Sequence, residues 1–431
     1  MQGKAISPEV ALAFGRDVYH GHGKIEILPK VAVHGVEDIA VAFTPGVGHA
    51  VKLIAAEPEA IHEQTAKDNL IALVTDGTAV LGYGNVGPRA GMPVMEGKAI
   101  MFKLLAGVDC MPLCLDARGP DHLVDLITAL EPSFGGFNLE DVAAPDCFSI
   151  MSRLSGALPV PILHDDQYGT ATVITAAVIN ALAVTGRRAE EITVVVNGCG
   201  AAGTACIDML KVLGVGDIVA VDKMGILARG ERYPHKHWRE IAHFTNREGR
   251  HGGLAEAMRG ADLFIGLSVS GLVSPAMIRS MARDPLIFAL ANPDPEILPD
   301  AAKAAGAALV ASGRFDYPNH CNNVLAFPAL MRAALDTRAK EITREMCLAA
   351  ARAIAGDLPA ADLHIENILP SPLSPTLYPA VAEATARAAV KAGLARRDPG
   401  LGWVYKNTER LRQLAHLRQE SLPEFGSTIE G

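Results

Sequence analysis

The stretch from Ile192 to Asp222 constrains the fold more than any other part of the chain. It reads as an apolar, β-branched strand (Ile192 to Asn197) and the turn Asn197-Gly198-Cys199-Gly200-Ala201-Ala202-Gly203. A helix over Ala202 to Leu213 follows, then a second strand over Ile218 to Val221, with Asp222 at its end. A strand that passes through a Gly-rich turn directly into a helix and on to another strand is a βαβ unit, which requires a parallel sheet. Gly198 permits the tight turn, Gly200 lets the backbone approach a pyrophosphate at the helix start formed by Ala201 and Ala202, and Gly203 lets the helix pack closely on its strand. The G-x-G-x-x-G spacing alone is a weak signal. The flanking elements, and Asp222 at 19 residues beyond Gly203, favour a dinucleotide site over a merely structural turn. Asp222 would accept hydrogen bonds from the adenosine ribose 2′-OH and repel a 2′-phosphate, which favours NAD. Lys223 beside it partly offsets that repulsion and leaves NADP possible.

The same alternation extends outward. Strand candidates at Leu263–Leu267, Leu286–Leu290 and Ala308–Ala311 predict a doubly wound parallel α/β sheet. Upstream, Asn69–Thr75 and Asp109–Leu115 read as buried strands and Pro120–Leu130 as a helix opened by Asp121. From about Pro161 the βα pattern becomes regular, with a strand end at Pro161–His164 and a long helix over Gly169–Val184. After about Asn323 the chain is mostly helical, and a Pro-rich crossing at Leu369–Pro379 precedes the Ala-rich helix Ala380–Gly393. The expected division is an N-terminal α/β domain (1–160), a Rossmann-like NAD(P)-binding domain (161–330) and a helical C-terminal region packed on it (331–431).

Composition removes several classes of function. With 49% hydrophobic and 20% charged residues the chain can build a large core and is neither disordered nor fibrous. A formal charge of −9 without a Lys/Arg block gives no nucleic-acid footprint. The 7 cysteines are odd in number, scattered and without a C-x-x-C pair, which argues against a disulfide framework or zinc site and for a reducing cytoplasm. Met1 to Ile6 lacks a basic-then-apolar leader pattern. Tyr168–Gly186 carries no charge and is long enough to span a bilayer. Its four Thr, Asn180 and its place before a Rossmann-like strand favour a buried helix, so no membrane partner is expected.

Two pairs of acids suggest a metal site. Glu140-Asp141 follows a segment read as a loop, Gly135-Gly136-Phe137-Asn138-Leu139, and Asp165-Asp166 ends the strand-like Val160–Leu163. Like charges this close are costly unless solvated or bound by a cation. Glu140-Asp141 alone could equally be a helix-cap cluster, but acids that end a parallel strand lie where such folds bind ligands. Neighbours in extended chain point to opposite sides, so one acid of a pair can bind metal while the other does something else. Oxygens from Glu140, Asp141 and Asp166 would leave about three places in an octahedron around Mg²⁺ or Mn²⁺, enough for a bidentate 2-hydroxy acid and a water. His164 is the only histidine nearby, which disfavours zinc. Lys98, if helical, shares a face with Met101, Phe102 and Leu105, whereas Lys103 points away. Desolvation on that stripe would lower its pKa and make a neutral amine base accessible, the alternative being a lysine snorkelling at a helix start.

With Lys98 in place the chain resembles the short bacterial malic enzymes. The matching segments are Gly23–Glu26, Val74-Thr75-Asp76-Gly77-Thr78-Ala79-Val80-Leu81-Gly82, Pro93-Val94-Met95-Glu96-Gly97-Lys98-Ala99, and Phe134–Asp141. They continue through His164-Asp165-Asp166-Gln167, Ala289–Pro293, Asn322–Pro328 and Leu369-Pro370-Ser371-Pro372, covering essentially the first 395 residues. The resemblance implies metal-dependent oxidative decarboxylation of L-malate to pyruvate with NAD(P)⁺, in a malic-enzyme-type N-terminal domain joined to a Rossmann-like domain. It makes Lys98 the general base, Asp165 its catalytic partner, Glu140, Asp141 and Asp166 the metal ligands, and Asn292 and Asn323 the amides that hold the substrate carboxylate. Asn292 also lines the cofactor side. Outside that context turn chemistry is the favoured reading for each Asn.

Two positions depart from the family. Its tyrosine general acid is replaced in Phe43-Thr44-Pro45, which keeps the ring and loses the proton. Tyr168 stands where the family usually has His, either as a substitute acid or as an aromatic packed at a helix start. A working malate enzyme, a dehydrogenase for another 2-hydroxy acid and an NAD-binding protein with reduced catalysis therefore remain the alternatives. A homodimer is expected, with the segment up to about Ile27 and the tail from Arg397, including Trp403 and Tyr405, as candidate contacts.

Overall fold

The computed structural model of the chain describes residues 23–80 and 82–420. The leader reading at Met1–Ile6, Leu81 of the Val74–Gly82 segment and the far end of the tail lie outside the described residues.

Two short helices, α1 (Val36–Ala42) and α2 (Val47–Ala56), open the described chain. They are followed by β1 (Leu70–Thr75), α3 (Pro88–Ala106), β2 (Asp109–Cys114), α4 (Pro120–Leu130), β3 (Gly136–Leu139), α5 (Asp146–Ala157) and β4 (Ile162–His164). The four strands form one parallel sheet in the order β2-β1-β3-β4. A near-continuous apolar run such as Ile71–Val74 is what a parallel strand covered on both faces requires. One face packs Ala72, Val74, Phe137 and Leu139 against Leu123, Ile127, Ile150 and Leu154 of α4 and α5.

This sheet corrects two readings. Gly136–Leu139 is a fully buried strand beside β1, not a loop. Glycine and asparagine are poor strand formers, and burial between two neighbours overrides that preference. The strand end at Pro161–His164 does not begin the dinucleotide domain. It pairs with β3, with His164 opposite Leu139, so the first sheet runs on to His164.

The second unit begins with the long α6 (Thr170–Thr185). It continues through β5 (Thr193–Asn197), α7 (Ala201–Leu213), β6 (Asp217–Asp222), β7 (Gly225–Ile226), β8 (Leu263–Gly266), β9 (Leu286–Ala289) and β10 (Leu309–Ser312). The sheet order is β10-β9-β8-β5-β6-β7, parallel except for the short β7. Strand order reverses at β5, with β6 on one side and β8 on the other, which opens a crevice at the carboxyl ends of these strands. The uncharged α6 is a core helix. Its Asn180 donates to the carbonyls of Ala355 and Ile368 at 3.0 and 2.9 Å, which satisfies the only amide side chain of that helix.

Four helices complete the chain: α8 (Phe327–Thr337), α9 (Arg344–Asp357), α10 (Leu377–Lys391) and α11 (Trp403–Gln419). They pack on both units rather than on the dinucleotide domain alone. One apolar core runs from Phe102 and Leu105 of α3 through Val173 and Ala177 of α6 to Leu330, Ile354 and Val381. Arg332, 2% exposed, donates to Asn69 ahead of β1 and pairs with Asp336 at 2.5 Å, tying α8 to the first sheet. By contrast, α1 and α2 bury no residue, and Val36, Val41 and Phe43 stand open to solvent.

Candidate active site

Because Leu139 and His164 are partners in the ladder between β3 and β4, the residues that follow emerge side by side at the carboxyl edge of the first sheet. These are Glu140-Asp141 and Asp165-Asp166. The second pair is not extended: Asp165–Gly169 forms one π-helical turn leading into α6. Such turns are rare and concentrate at functional sites. The turn still sends its two acids in different directions, Asp165 toward Lys98 and Asp166 toward Asp141. Gly169 makes this possible, since a Cβ there would fall 1.6 Å from Asp165 Oδ1.

Helix α3 carries Lys98 into the same place. Phe102 holds the helix by packing on Phe327, with ring centroids 4.7 Å apart, and the Lys98 amine lies 4.5 Å from the Phe327 ring. Lys98 Nζ donates to Glu140 Oε1 and to Asp165 Oδ2. Asn323 Nδ2 donates to Asp165 Oδ2 at 2.6 Å, and Asn138 Nδ2 to Glu140 Oε2 at 3.1 Å. Lys103, on the other face, pairs with Asp109 at 2.5 Å.

Electrostatics correct the expectation for Lys98. Burial pulls its pKa down, but the carboxylates of Asp165, Glu140 and Asp166 more than reverse this, and the net direction is upward. The amine is held as an ammonium. The acids respond in kind: burial drives Glu140 well above the usual carboxylate range, and Asp165 is pushed up to about 6 by burial against the opposing pull of Lys98.

Carboxylate oxygens of Glu140, Asp141 and Asp166 lie within 4.8 Å of one another, with the first two buried. Asp166 Oδ2 also accepts the Asp141 N–H at 2.8 Å. Asp141 adopts φ 56°, a left-handed conformation that Asp tolerates better than most side chains. Three hard oxygen donors converging without Cys or His match Mg²⁺ or Mn²⁺ and not zinc. His164 is fully buried, and its Nε2 stands 4.0 Å from Asp166 Oδ2, beyond hydrogen-bond range. The chain therefore fits a divalent cation at the three expected residues.

The dinucleotide loop joins β5 to α7 as anticipated. A Cβ on Gly203 would lie 1.7 Å from the Gly198 carbonyl, which is why that position of the motif admits no side chain. Asp222 ends β6, and its carboxylate accepts N–H bonds from Cys199 at 2.6 Å and Lys223 at 2.7 Å, which ties it to the glycine loop. Asn292 lies on the loop after β9 and donates to the Leu290 carbonyl at 3.3 Å, the turn chemistry noted as its alternative. Asn323, in contrast, belongs to the Lys98 cluster.

Tyr168 and Phe43 both stand apart from the Lys98 cluster. The Tyr168 hydroxyl donates to Asp208 on α7 at 3.4 Å, and Arg344 on α9 holds the same carboxylate at 2.6 Å. Tyr168 therefore packs between helices, with its pKa raised by burial and by Asp208, and is not positioned as a substitute acid. Phe43 is 68% exposed on the unpacked α1–α2 segment and contributes nothing to the cluster within one chain.

Sequence reading missed Asn138, His237 and Trp238. His237 Nε2 and Trp238 Nε1 lie 3.0 and 3.2 Å from the Cys199 carbonyl and brace the glycine loop from the helix Lys236–Ala242. Asn138 left a signal, being an amide in an otherwise apolar strand, where buried polar groups need a partner. No local pattern marks the other two.

A doubly wound crevice together with a lysine–carboxylate cluster defines a dinucleotide-dependent oxidoreductase. Family models narrow the class. The malic enzyme N-terminal domain matches residues 22–120, and the malic enzyme NAD binding domain matches residues 167–390. The chain belongs to the malic enzyme family. It is 47% identical to a bifunctional malic/malolactic enzyme of Bacillus subtilis over 87% of this chain and 92% of that one. It is 45% identical to an NAD-dependent malic enzyme of Geobacillus stearothermophilus over 88% and 79%. The crystal structure of a malic enzyme from Pyrococcus horikoshii superposes with a TM-score of 0.89 at 43% identity, covering 96% of this chain and 99% of that one.

Proposed function

We propose that the chain oxidises and decarboxylates L-malate, or a close 2-hydroxy acid, to pyruvate and CO₂, using NAD or NADP and Mg²⁺ or Mn²⁺. The observation that carries this reading is the contact of the Lys98 amine with Asp165 and with Glu140, a member of the three-carboxylate donor set. When bound, the dinucleotide supplies the hydride acceptor, and a cation held by Glu140, Asp141 and Asp166 supplies polarisation of the substrate oxygen. A cation on Glu140 and Asp166 would offset part of the negative charge that keeps Lys98 protonated, and the neutral amine would then take the C2 hydroxyl proton at Nζ. Asp165 and Glu140 hold that amine in place, and Asn323 locks the Asp165 carboxylate from behind. Asn292 and Asn323 present amides for the substrate carboxylate. Asp222 favours NAD over NADP at the adenosine end.

Phe43 has no proton to give, and Tyr168 spends its own on Asp208, so protonation of C3 falls to water. Purified protein should form pyruvate and reduced nicotinamide from malate only with metal present, and with a higher kcat/KM for NAD than for NADP. No reduction of either nucleotide at saturating malate and metal overturns the reading. Phe43→Tyr should raise kcat by about 10²-fold, the lower end of what a positioned acid contributes. Such a gain would also mean that assembly brings this exposed residue to a site.

The same exposed segment supports a homodimer as the working form. Contiguous apolar surface on α1 and α2 is costly in water and marks an interaction face. Light scattering should give the mass of two chains, and Val36→Asp with Val41→Asp should reduce it to one. Wild-type protein running at 45.4 kDa would refute the dimer. All described cysteines are free, in keeping with the reducing cytoplasm we assign to it.

A further inference from the structure

Glu296 is a fully buried carboxylate that the reaction above does not use. It lies at the carboxyl edge of the second sheet, and no Lys or Arg among the described residues pairs with it. Its Oε1 accepts the Ser268 N–H and its Oε2 the Ala291 N–H, both at 3.1 Å. Ser268 lies on the loop after β8 and Ala291 on the loop after β9, immediately before Asn292. The first loop is tied further: Asn197 Nδ2, at the end of β5, donates to Ser268 Oγ at 2.8 Å, and the Val273 N–H reaches the Glu296 carbonyl at 3.0 Å. One carboxylate thus links the ends of β5, β8 and β9, the three strands that border the crevice on the side away from Asp222. Room for it comes from Gly266, the last residue of β8, where a Cβ would sit 2.3 Å from the Glu296 carboxyl carbon.

An unpaired acid in a core is expensive unless N–H donors fully satisfy it. Here the donors belong to two loops that would flank the nicotinamide half of a dinucleotide laid across the switch point. We propose that Glu296 is a positioning residue for the dinucleotide, setting the separation of the loops after β8 and β9 that hold its nicotinamide half. This inference rests on the dinucleotide reading of the crevice.

The test is direct binding of NADH and NADPH, followed by nucleotide fluorescence, together with steady-state kinetics and melting curves on the full chain. Glu296→Gln keeps the volume but turns an NH₂ toward one of the two N–H groups, which removes a bond to a charged acceptor. Its Kd and KM for the dinucleotide should rise by about 10-fold or more, with kcat at saturating nucleotide changed less than about threefold. Gly266→Ala, which displaces the carboxylate with one methyl, should raise the same constants, and the double variant should add little to either alone. Variants that melt earlier but bind dinucleotide like the wild type show a structural acid only and overturn the proposal. Should Glu296→Gln fail to fold, unchanged affinity in Gly266→Ala overturns it equally. Wild-type protein that binds neither nucleotide overturns the crevice reading and this proposal with it.

Discussion

Lys98→Ala should lower kcat for malate by about 10²- to 10⁴-fold, the range in which a positioned base contributes, and leave NADH affinity within about threefold. The reason is geometric. Lys98 is the only amine in contact with both Asp165 and Glu140 among the described residues, whereas the dinucleotide loop is built on β5 and α7 of a separate sheet. Loss of the amine also strands two buried carboxylates, and a broken buried pair costs about 3–5 kcal/mol, so a lower melting temperature accompanies the lost turnover. Lys98→Arg separates the two effects. A guanidinium can still pair with the carboxylates but gives up no proton at neutral pH. It should recover thermal stability and stay inactive. Turnover by Lys98→Arg at even a tenth of the wild-type rate would remove Lys98 from the role of base.

Chelation should abolish turnover, and Mg²⁺ or Mn²⁺ should restore it. Asp166→Asn and Asp141→Asn should each raise the metal concentration for half-maximal activity by about 10- to 100-fold, the usual scale for loss of a metal-supporting group. Glu140, Asp141 and Asp166 converge within 4.8 Å, so their mutual repulsion is relieved by a cation, and metal should also raise the melting temperature of the wild type. Neither nucleotide nor malate is needed for that second readout. Activity indifferent to chelator, together with a melting curve that ignores both ions, would exclude the three acids as a cation site.

Much of the architecture is legible along the chain, because it follows from local rules. Apolar β-branched runs alternating with helical periods announce the parallel strands β5, β6, β8, β9 and β10, and the glycine loop declares its turn and its helix. The acids were legible as well, since pairs of like charges at strand ends demand an explanation. Where local preference and burial disagree, the reading failed. Gly136–Leu139 looks like a loop until two neighbouring strands enclose it, and Ile162–His164 joins the first sheet through a pairing with β3 that no local pattern encodes.

From its sequence alone this protein was determined to be a chain of βα units carrying a dinucleotide loop, a lysine and three clustered acids, because turn geometry, side-chain period and residue chemistry act over a few neighbours. Tertiary structure alone decided what those groups face. It seats Lys98 between Asp165 and Glu140 and so keeps the amine charged, and it turns the Tyr168 hydroxyl onto Asp208. It also leaves Phe43 on an unpacked segment. The physical reason is the same in each case: the direction of a side chain and the charge around it are set by residues distant along the chain, which only the packed fold brings within reach.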